Sequence, residues 1–457
     1  MDDSRATRRS ALLVATLSSF LNPFMASSVN IALPSIGREF AVDAVLLSWI
    51  PTAYLLSVAV FLIPFGRAGD IYGRKKVFTY GTSIFTASTL LLSVASSVGE
   101  LIAFRVLQGI GSAMIFGTSV AILSSVFPAS ERGRALGVTV AAVYSGLSAG
   151  PFLGGFLTQQ FGWRSIFWAA LPLGLLILGI VRWKLKDEWA ESRGEPFDLW
   201  GALFYGVSLV AIMDGFAWLP GIRGVALIVA GLLGLGAFVR WEMRVAHPVL
   251  GVHLFRGNRV FAFSSLAAMI NYSATFAVGF LLSLYLQYVR GFTPQRAGLI
   301  LVAQPVVQAL FSPFAGRLSD RIEPRTVASV GMAFTAIGLF LLAFLREKTA
   351  LEFIVLSLVF LGFGFALFSS PNANAIMGAV EKRFYGVASG VLGTTRMLGQ
   401  MLSMGIVTLI FAIHLQGGPM TPESAPLLLK SAKTAFIAFA TLCCCGILAS
   451  LSRGKMR

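Results

Sequence analysis

The chain has 457 residues, of which 56% are hydrophobic and 12% charged, whereas a soluble globular protein carries about 25% charged residues. That balance excludes an ordinary soluble domain and points to a protein dissolved in lipid. A formal charge of +16 would suggest nucleic acid as the partner of a soluble protein, but membrane proteins collect their basic residues on one side, so the positions of those residues decide.

The N-terminal stretch "MDDSRATRRSALLVATLSSFL" has the basic-then-apolar layout of a signal peptide. Its apolar part, about 24 residues, is too long for that role, so it reads as a retained first span. Runs of roughly 20 apolar residues suffice to cross about 30 Å of hydrocarbon as helix. They occur at 11–34, 46–66, 77–97, 101–125, 135–158 and 164–183, then at 199–219 and 222–241. Six more follow at 260–287, 297–316, 326–345, 351–377, 385–412 and 432–452. Fourteen spans use up the 457 residues and leave no room for a soluble catalytic domain. The expected organisation is a six-helix unit at 1–185, an inserted two-helix segment with linkers at 186–245, and a second six-helix unit at 246–457.

Polar residues inside these spans need a reason, because charged and amide side chains are costly in hydrocarbon and usually face a bundle interior or a wet cavity. On the first span Ser19, Asn22, Ala26 and Asn30 share one face at helical spacing. On the fourth Arg105, Gln108, Ser112 and Ser119 do the same. Gln304 and Gln308 form a shorter stripe on the tenth, Asn372 and Asn374 flank the middle of the twelfth, and Arg396, Gln400 and Ser403 line up on the thirteenth. Interhelical hydrogen bonding and a solute cavity both account for the amides; the two arginines favour a cavity or a coupling role. On the fifth span Gly146, Gly150 and Gly154 recur at i, i+4, i+8 beside Pro151, a flat face for close helix packing with a bend.

Between spans two and three stands "GRAGDIYGRKK", residues 66–76, with Asp70 and Arg74; a worn copy, "GRLSDRIEPR", starts at Gly316 and contains Asp320. The segment "ERGRALGVTVAAVYSGLSAG" likewise has a loose partner in "KRFYGVASGVLGTTRMLGQ". Two similar halves around an inserted pair are the mark of a transporter built from internal repeats. Cys443, Cys444 and Cys445 are consecutive, and His247, His253 and His414 are scattered, so neither set has the spacing of a metal site. "GIGSAM" and "GFGFAL" lie inside spans and lack a lysine, which argues against nucleotide loops. The Lys and Arg residues divide 25 to 9 between alternate span ends, with Arg105 and Arg396 inside spans. The richer side includes both termini, which places them in the cytoplasm and removes the case for nucleic acid.

Four motifs in this order resemble the major facilitator superfamily, specifically its fourteen-span drug:proton antiporter branch. They are "SSVNIALPSI" ending the first span, the loop at 66–76, "RVLQGIGSA" from Arg105, and "GLSAGPFLGG" from Gly146. The resemblance covers essentially the whole chain. It implies an all-α fold of two six-helix bundles related by a pseudo-two-fold axis, plus an inserted pair, working by alternating access as a monomer in the inner membrane. It further implies export of small amphipathic, drug-like compounds in exchange for protons, with no cofactor beyond a proton gradient and no enzymatic activity. In this frame Asn22, Asn30, Gln108, Gln304, Gln308, Asn372, Asn374, Arg396 and Gln400 are candidate cavity residues. Arg105, Asp70, Arg74, Asp320, Gly150, Pro151 and Asp214 are candidate coupling or gating residues. Asp70 would latch onto the start of the thirteenth span near Phe384, and Asp320 onto the fifth near Gly133, when the inside is shut.

One departure stands out. The branch usually carries an aspartate in the first span where this chain has Asn22, and an amide cannot bind and release a proton at working pH. Of the 20 acidic residues, none lies mid-span, and Asp214 comes nearest. Coupling must then use a boundary acid, Asp214 or the solute's own titrating group, and is expected to be weak or unconventional. Two rivals remain: an organic-anion facilitator or symporter, favoured by the two in-span arginines, and an intramembrane enzyme or sensor.

Overall fold

The computed structural model describes residues 2–381, 385–415, 420 and 422–454. Lys382, Arg383, Phe384, Lys455 and Arg457, which entered the charge count or the expected partner of Asp70, lie outside the described residues.

The described chain is all helix, with no strand among the described residues. The first six helices are α1 (Asp2–Phe40), α2 (Ala44–Tyr72), α3 (Arg74–Ser93), α4 (Val98–Val126), α5 (Ala129–Phe161) and α6 (Arg164–Lys184). The inserted pair is α7 (Leu199–Trp218) and α8 (Ile222–Glu242). The last six are α9 (Arg259–Val289), α10 (Pro294–Arg321), α11 (Pro324–Leu342), α12 (Leu351–Gly378), α13 (Tyr385–His414) and α14 (Ala425–Ser452).

Thirteen of these are long and apolar enough to cross a membrane. The exception, α3, opens on Arg74, Lys75 and Lys76 and is dense in hydroxyls. Those hydroxyls bond back into their own helix: Thr79 to the carbonyl of Lys75, Thr82 to that of Phe78, Thr86 to that of Thr82, Thr89 to that of Phe85. The donors are thereby satisfied without water, and α3 packs in the bundle like its neighbours.

Several helices begin ahead of their apolar runs, where polar N-caps and not hydropathy set the boundary. The Asp43 carboxylate accepts from the Leu46 N–H at 2.7 Å. Ser97 caps α4, and Glu100 reaches back to the Ser96 N–H at 2.8 Å, a reciprocal pair close to a capping box. Thr293 caps α10 just before Pro294. Gly73, at φ +117°, makes the sharp break between α2 and α3 that a side chain would resist.

The packing repeats with a period of eight helices. In the first half α1 lies on α5 and α6, α2 on α4, and α3 on α4 and α6. In the second half α9 lies on α13 and α14, α10 on α12, and α11 on α12 and α14. Even a close glycine crossing is copied. A methyl on Gly111 of α4 would stand 2.7 Å from the Gly81 carbonyl of α3, and one on Gly364 of α12 would stand 2.7 Å from the Gly331 carbonyl of α11. Backbones approach this closely in lipid only where side chains are absent. The inserted α7 and α8 pack on each other, and α7 also lies against α2 and α13.

Candidate transport pathway

With fourteen helices, both ends of the chain reach the same face, called here the terminal face. The two halves meet on the other side. There Gln287 of α9 donates its amide to the Ile31 carbonyl of α1 at 2.9 Å, and Tyr288 donates its hydroxyl to the Pro34 carbonyl at 3.1 Å. The Gln295 N–H of α10 reaches the Gln159 amide of α5 at 3.3 Å. Beside it Gly298 of α10 lies directly on the Pro151 carbonyl, and Gly155 of α5 on that of Pro294. Ser48 of α2 and Thr408 of α13 share a hydroxyl bond of 2.9 Å, and these two helices stay in touch as far as Leu62 and Gly393. Towards the terminal face α5 keeps an ion pair with α1, Arg8 to Glu131 at 3.5 Å, but its glycine face is open: a methyl added at Gly133, Gly137 or, on α13, Gly390 would meet nothing within 4 Å. The cleft between the halves therefore opens on the terminal face, and among the described residues no side chain lies within 4 Å of a methyl at Gly133, where Asp320 was expected to latch in the opposite state.

Gly150 and Pro151 belong to the closed end. Gly146, Gly150 and Gly154 set α5 against Phe20, Phe24, Ser27 and Ser28 of α1, and the Ser28 hydroxyl donates to the Gly150 carbonyl at 3.1 Å. A methyl at Gly298 has no room above the Pro151 carbonyl. Gly298→Ala is expected to loosen the seal, so that a single cysteine placed at Asn30 becomes reactive from the far face. An unchanged labelling rate would mean that the two helices give way locally.

The polar core of the first half is fully enclosed. Asn22, 1% exposed, accepts through its amide oxygen from Ser112 at 2.6 Å and from Tyr54 at 3.4 Å, and donates to the Ser18 carbonyl at 3.1 Å. Arg105, also 1% exposed, donates to Gln108 at 2.5 Å and to the Ile50 carbonyl at 3.3 Å, and its guanidinium lies 4.3 Å from the centre of the Tyr54 ring. Gln108 in turn donates to Thr89 at 2.9 Å. Among the described residues no carboxylate pairs with Arg105. Asn22 and Gln108 are thus committed to the bundle interior in this conformation, not to an open cavity.

The second half has a parallel arrangement. Arg396 of α13, partly buried, lies 5.2 Å from the Tyr272 ring centre of α9, and its Nε has no partner. Both in-span arginines therefore rest on a tyrosine face, an attraction worth about 0.5–2 kcal/mol. Asn30, Gln304 and Gln400 are partly exposed like Arg396, whereas Gln308 is buried at 5% exposure. Asn372 and Asn374 were expected to flank the middle of their span; they lie in the last two turns of α12. There Asn372 donates to the Ser264 carbonyl at 3.1 Å and accepts from buried Arg453 at 3.0 Å, and Asn374 donates to Ser319 at 2.8 Å. This cluster ties helix ends together. Asp214 is half-buried near the far end of α7, two residues from Phe216, which packs on Gly405 of α13.

The loop at 66–76 is held by a segment that sequence reasoning passed over. Asp70 pairs with Arg74 at 2.7 Å, one turn along. Arg74 also donates to Ser125 of α4 at 2.6 Å and to Glu191 at 2.7 Å. Glu191 belongs to the acidic linker between α6 and α7, which runs across the loop as a strap. Its Glu188 accepts from the N–H groups of Lys75 and Lys76 at 2.8 and 3.1 Å; Arg67 donates to Ser192 at 3.0 Å and forms an ion pair with Glu195. Glu195 also meets His247 at 2.8 Å, so linkers on both sides of the inserted pair converge on one loop. Asp70, expected to face the thirteenth span, thus has its partner across the Gly73 break, at the start of α3, and its carbonyl accepts from the Ser192 N–H at 2.9 Å. The alternation of acidic residues in "KDEWAESRGEPFD" was the available signal, facing a loop rich in arginine and lysine.

The sequence profile of the Major Facilitator Superfamily matches residues 15–245 and 264–454. The chain is 30% identical over 401 residues to the riboflavin transporter RibZ of Clostridioides difficile, covering 88% of each protein. It is 32% identical over 416 residues to the multidrug resistance protein Stp of Mycobacterium tuberculosis, covering 90% of this chain and 77% of that one. Among solved structures it superposes on a peptide transporter, POT, in complex with alafosfalin. The TM-score is 0.71 at 13% identity, over 99% and 98% of the two chains, a likeness of fold alone.

Proposed function

The chain belongs to the Major Facilitator Superfamily and is a multi-pass membrane transporter, and on that premise we propose that it is a secondary active exporter of small amphipathic organic compounds. The observation that carries this reading is the one-sided cleft: sealed at one face by contacts between helices of opposite halves, and open at the face that holds both termini. A body of two repeats sealed by a few hydrogen bonds and glycine contacts can exchange that seal for one on the other face. The relative named for multidrug resistance favours export of drug-like compounds; the riboflavin transporter keeps the solute class broad. The terminal face, with its excess of Lys and Arg, is the cytoplasmic face of the inner membrane. A cysteine introduced at Arg193, in the strap, should react with an impermeant reagent only from the cytoplasm, and reaction from outside would overturn this orientation.

Its exchange for protons is weak or unconventional. Asn22 holds the place where the branch has an aspartate, and it accepts two hydroxyl hydrogen bonds that a carboxylate could equally accept. A carboxyl there that keeps its proton can still donate to the Ser18 carbonyl, whereas the ionised form would face that carbonyl with like charge. Asn22→Asp should therefore add pH dependence to transport and favour cationic solutes. The test is solute and proton flux in proteoliposomes with an imposed pH gradient. No solute movement would defeat the transport reading for that class. Tight proton coupling that vanishes in Asn22→Ala and survives loss of every boundary acid would defeat the account of weak coupling.

A second reading, an organic-anion facilitator, is favoured by Arg396 alone, whose Nε has no partner. Arg396→Ala should then weaken anionic but not cationic solutes.

A further inference from the structure

An apolar groove lies outside the cleft. It has a volume of about 730 Å³ and runs between α2 and α7, floored by Met114 of α4. That volume is within the roughly 300–1,000 Å³ of ordinary ligand pockets. Its walls are apolar throughout, from Val60 to Phe65 on α2 and from Leu203 to Val210 on α7. Polar groups occur only at its terminal-face end, where Tyr72, Tyr80 and Lys76 stand at the rim. Lys76 is exposed, and its backbone N–H is fixed by Glu188 while its ammonium group makes no hydrogen bond or ion pair among the described residues.

The shape is that of a lipid. From Tyr72 to Val60, and from Leu199 to Val210, the walls rise by about 17 Å at roughly 1.5 Å per residue, about half of a 30 Å hydrocarbon core. The groove therefore spans one leaflet. Its tyrosines stand at headgroup level, where amphipathic rings collect, and its one cation stands where a phosphate would. A solute in transit would need polar partners along its length, and the deep walls offer none.

We propose that this groove is a specific site for one glycerophospholipid with an anionic headgroup, its phosphate on Lys76 and an acyl chain lying between α2 and α7. The bound lipid would then touch α7 and the end of the strap at Phe197, next to the loop that the strap holds. Nothing in this depends on which solute is carried or on proton coupling.

The test uses the whole protein in phosphatidylcholine nanodiscs doped with a tail-diazirine phosphatidylglycerol or phosphatidylcholine, followed by irradiation and peptide mapping. The phosphatidylglycerol label should concentrate on Leu203–Val210 and Val60–Phe65. Lys76→Gln should lower that labelling by about fivefold, the equivalent of the ~1 kcal/mol that one basic residue contributes near an anionic surface. Val207→Trp, at a position 66% exposed to the groove side, should abolish it while melting at the wild-type temperature. The proposal is overturned if phosphatidylcholine labels equally well and Lys76→Gln changes nothing. It is also overturned if the groove labels no more densely than the lipid-facing Leu232–Leu233 surface of α8, or if a cationic dye displaces the label as well as excess phosphatidylglycerol does.

Discussion

Arg74→Ala is expected to reduce transport at least tenfold and to lower thermal stability. Arg74 is 6% exposed and joins Asp70, Ser125 and Glu191 at 2.6–2.7 Å. Removing one member of a buried ion pair costs about 3–5 kcal/mol because the other is left uncompensated. The lower end applies here, since the Asp70 side chain is 33% and that of Glu191 69% exposed and water screens both. Arg74→Lys should recover little, because a point charge cannot reach three partners that a planar fork satisfies together. Glu191→Gln should cost under about 1 kcal/mol and leave transport within a small factor of wild type. Wild-type rates in Arg74→Ala would reduce the loop to a signal for topology. The hydrogen bond from Arg74 holds the Glu191 carboxyl below its ordinary range, and that from Arg67 does the same for Glu195. Groups with depressed values contribute stability above their unfolded value, near pH 4.3, and lose it as pH falls through the folded value. The strap should therefore hold unchanged from neutrality down to about pH 5, and hydrogen exchange along 186–198 as a function of pH measures this.

Arg105→Met is expected to abolish most transport without lowering the melting temperature. The two effects separate because of magnitudes. The substitution orphans the Gln108 oxygen, at about 1–3 kcal/mol for a fully buried acceptor, while the Ile50 carbonyl keeps its backbone bond within α2. It also removes a cation that has no carboxylate partner, a group whose desolvation costs several kcal/mol. The opposing costs are of one size, so stability stays level, whereas whatever the charge does is lost. A guanidinium kept at such expense on the Tyr54 face is there for a task other than folding. Transport at wild-type rates in Arg105→Met, with the same pH profile, would make it a packing residue.

The number of helices and their repeat were legible because both rest on run length and on glycine- and charge-rich loops, which are local signals. Helix ends were less legible: α2, α4 and α10 begin ahead of their apolar runs, where Asp43, Ser97 and Thr293 place the boundary by capping and not by hydropathy, and α1 and α5 run well past theirs. The polar positions were found, but not their partners. Asn22 and Gln108 look alike in sequence to Asn30 and Gln400, and only the packing of Tyr54 and Thr89 separates an amide inside a bundle from one at its edge. The stacking of Arg105 and Arg396 on Tyr54 and Tyr272 needed three dimensions, as did Arg453, which reads as one more basic residue of the terminus. The strap was treated as a linker, and its glutamates gain meaning only opposite Arg67 and Arg74.

The placement of α7 has a mechanical consequence. Tyr205, Leu209 and Met213 pack in one cluster with Ala59 and Ile63 of α2 and with Met401 of α13, and Tyr205 donates its hydroxyl to the Ala59 carbonyl at 3.1 Å. When two bodies swing past each other, displacement vanishes on the rotation axis and grows with distance from it. A third body gripped by both can keep its contacts only close to that axis. The inserted pair is therefore expected to act as a bearing: spin labels at Tyr205 and Met401 should keep their separation through the cycle, while labels at Gly133 and Arg317, at the far radius, should travel furthest.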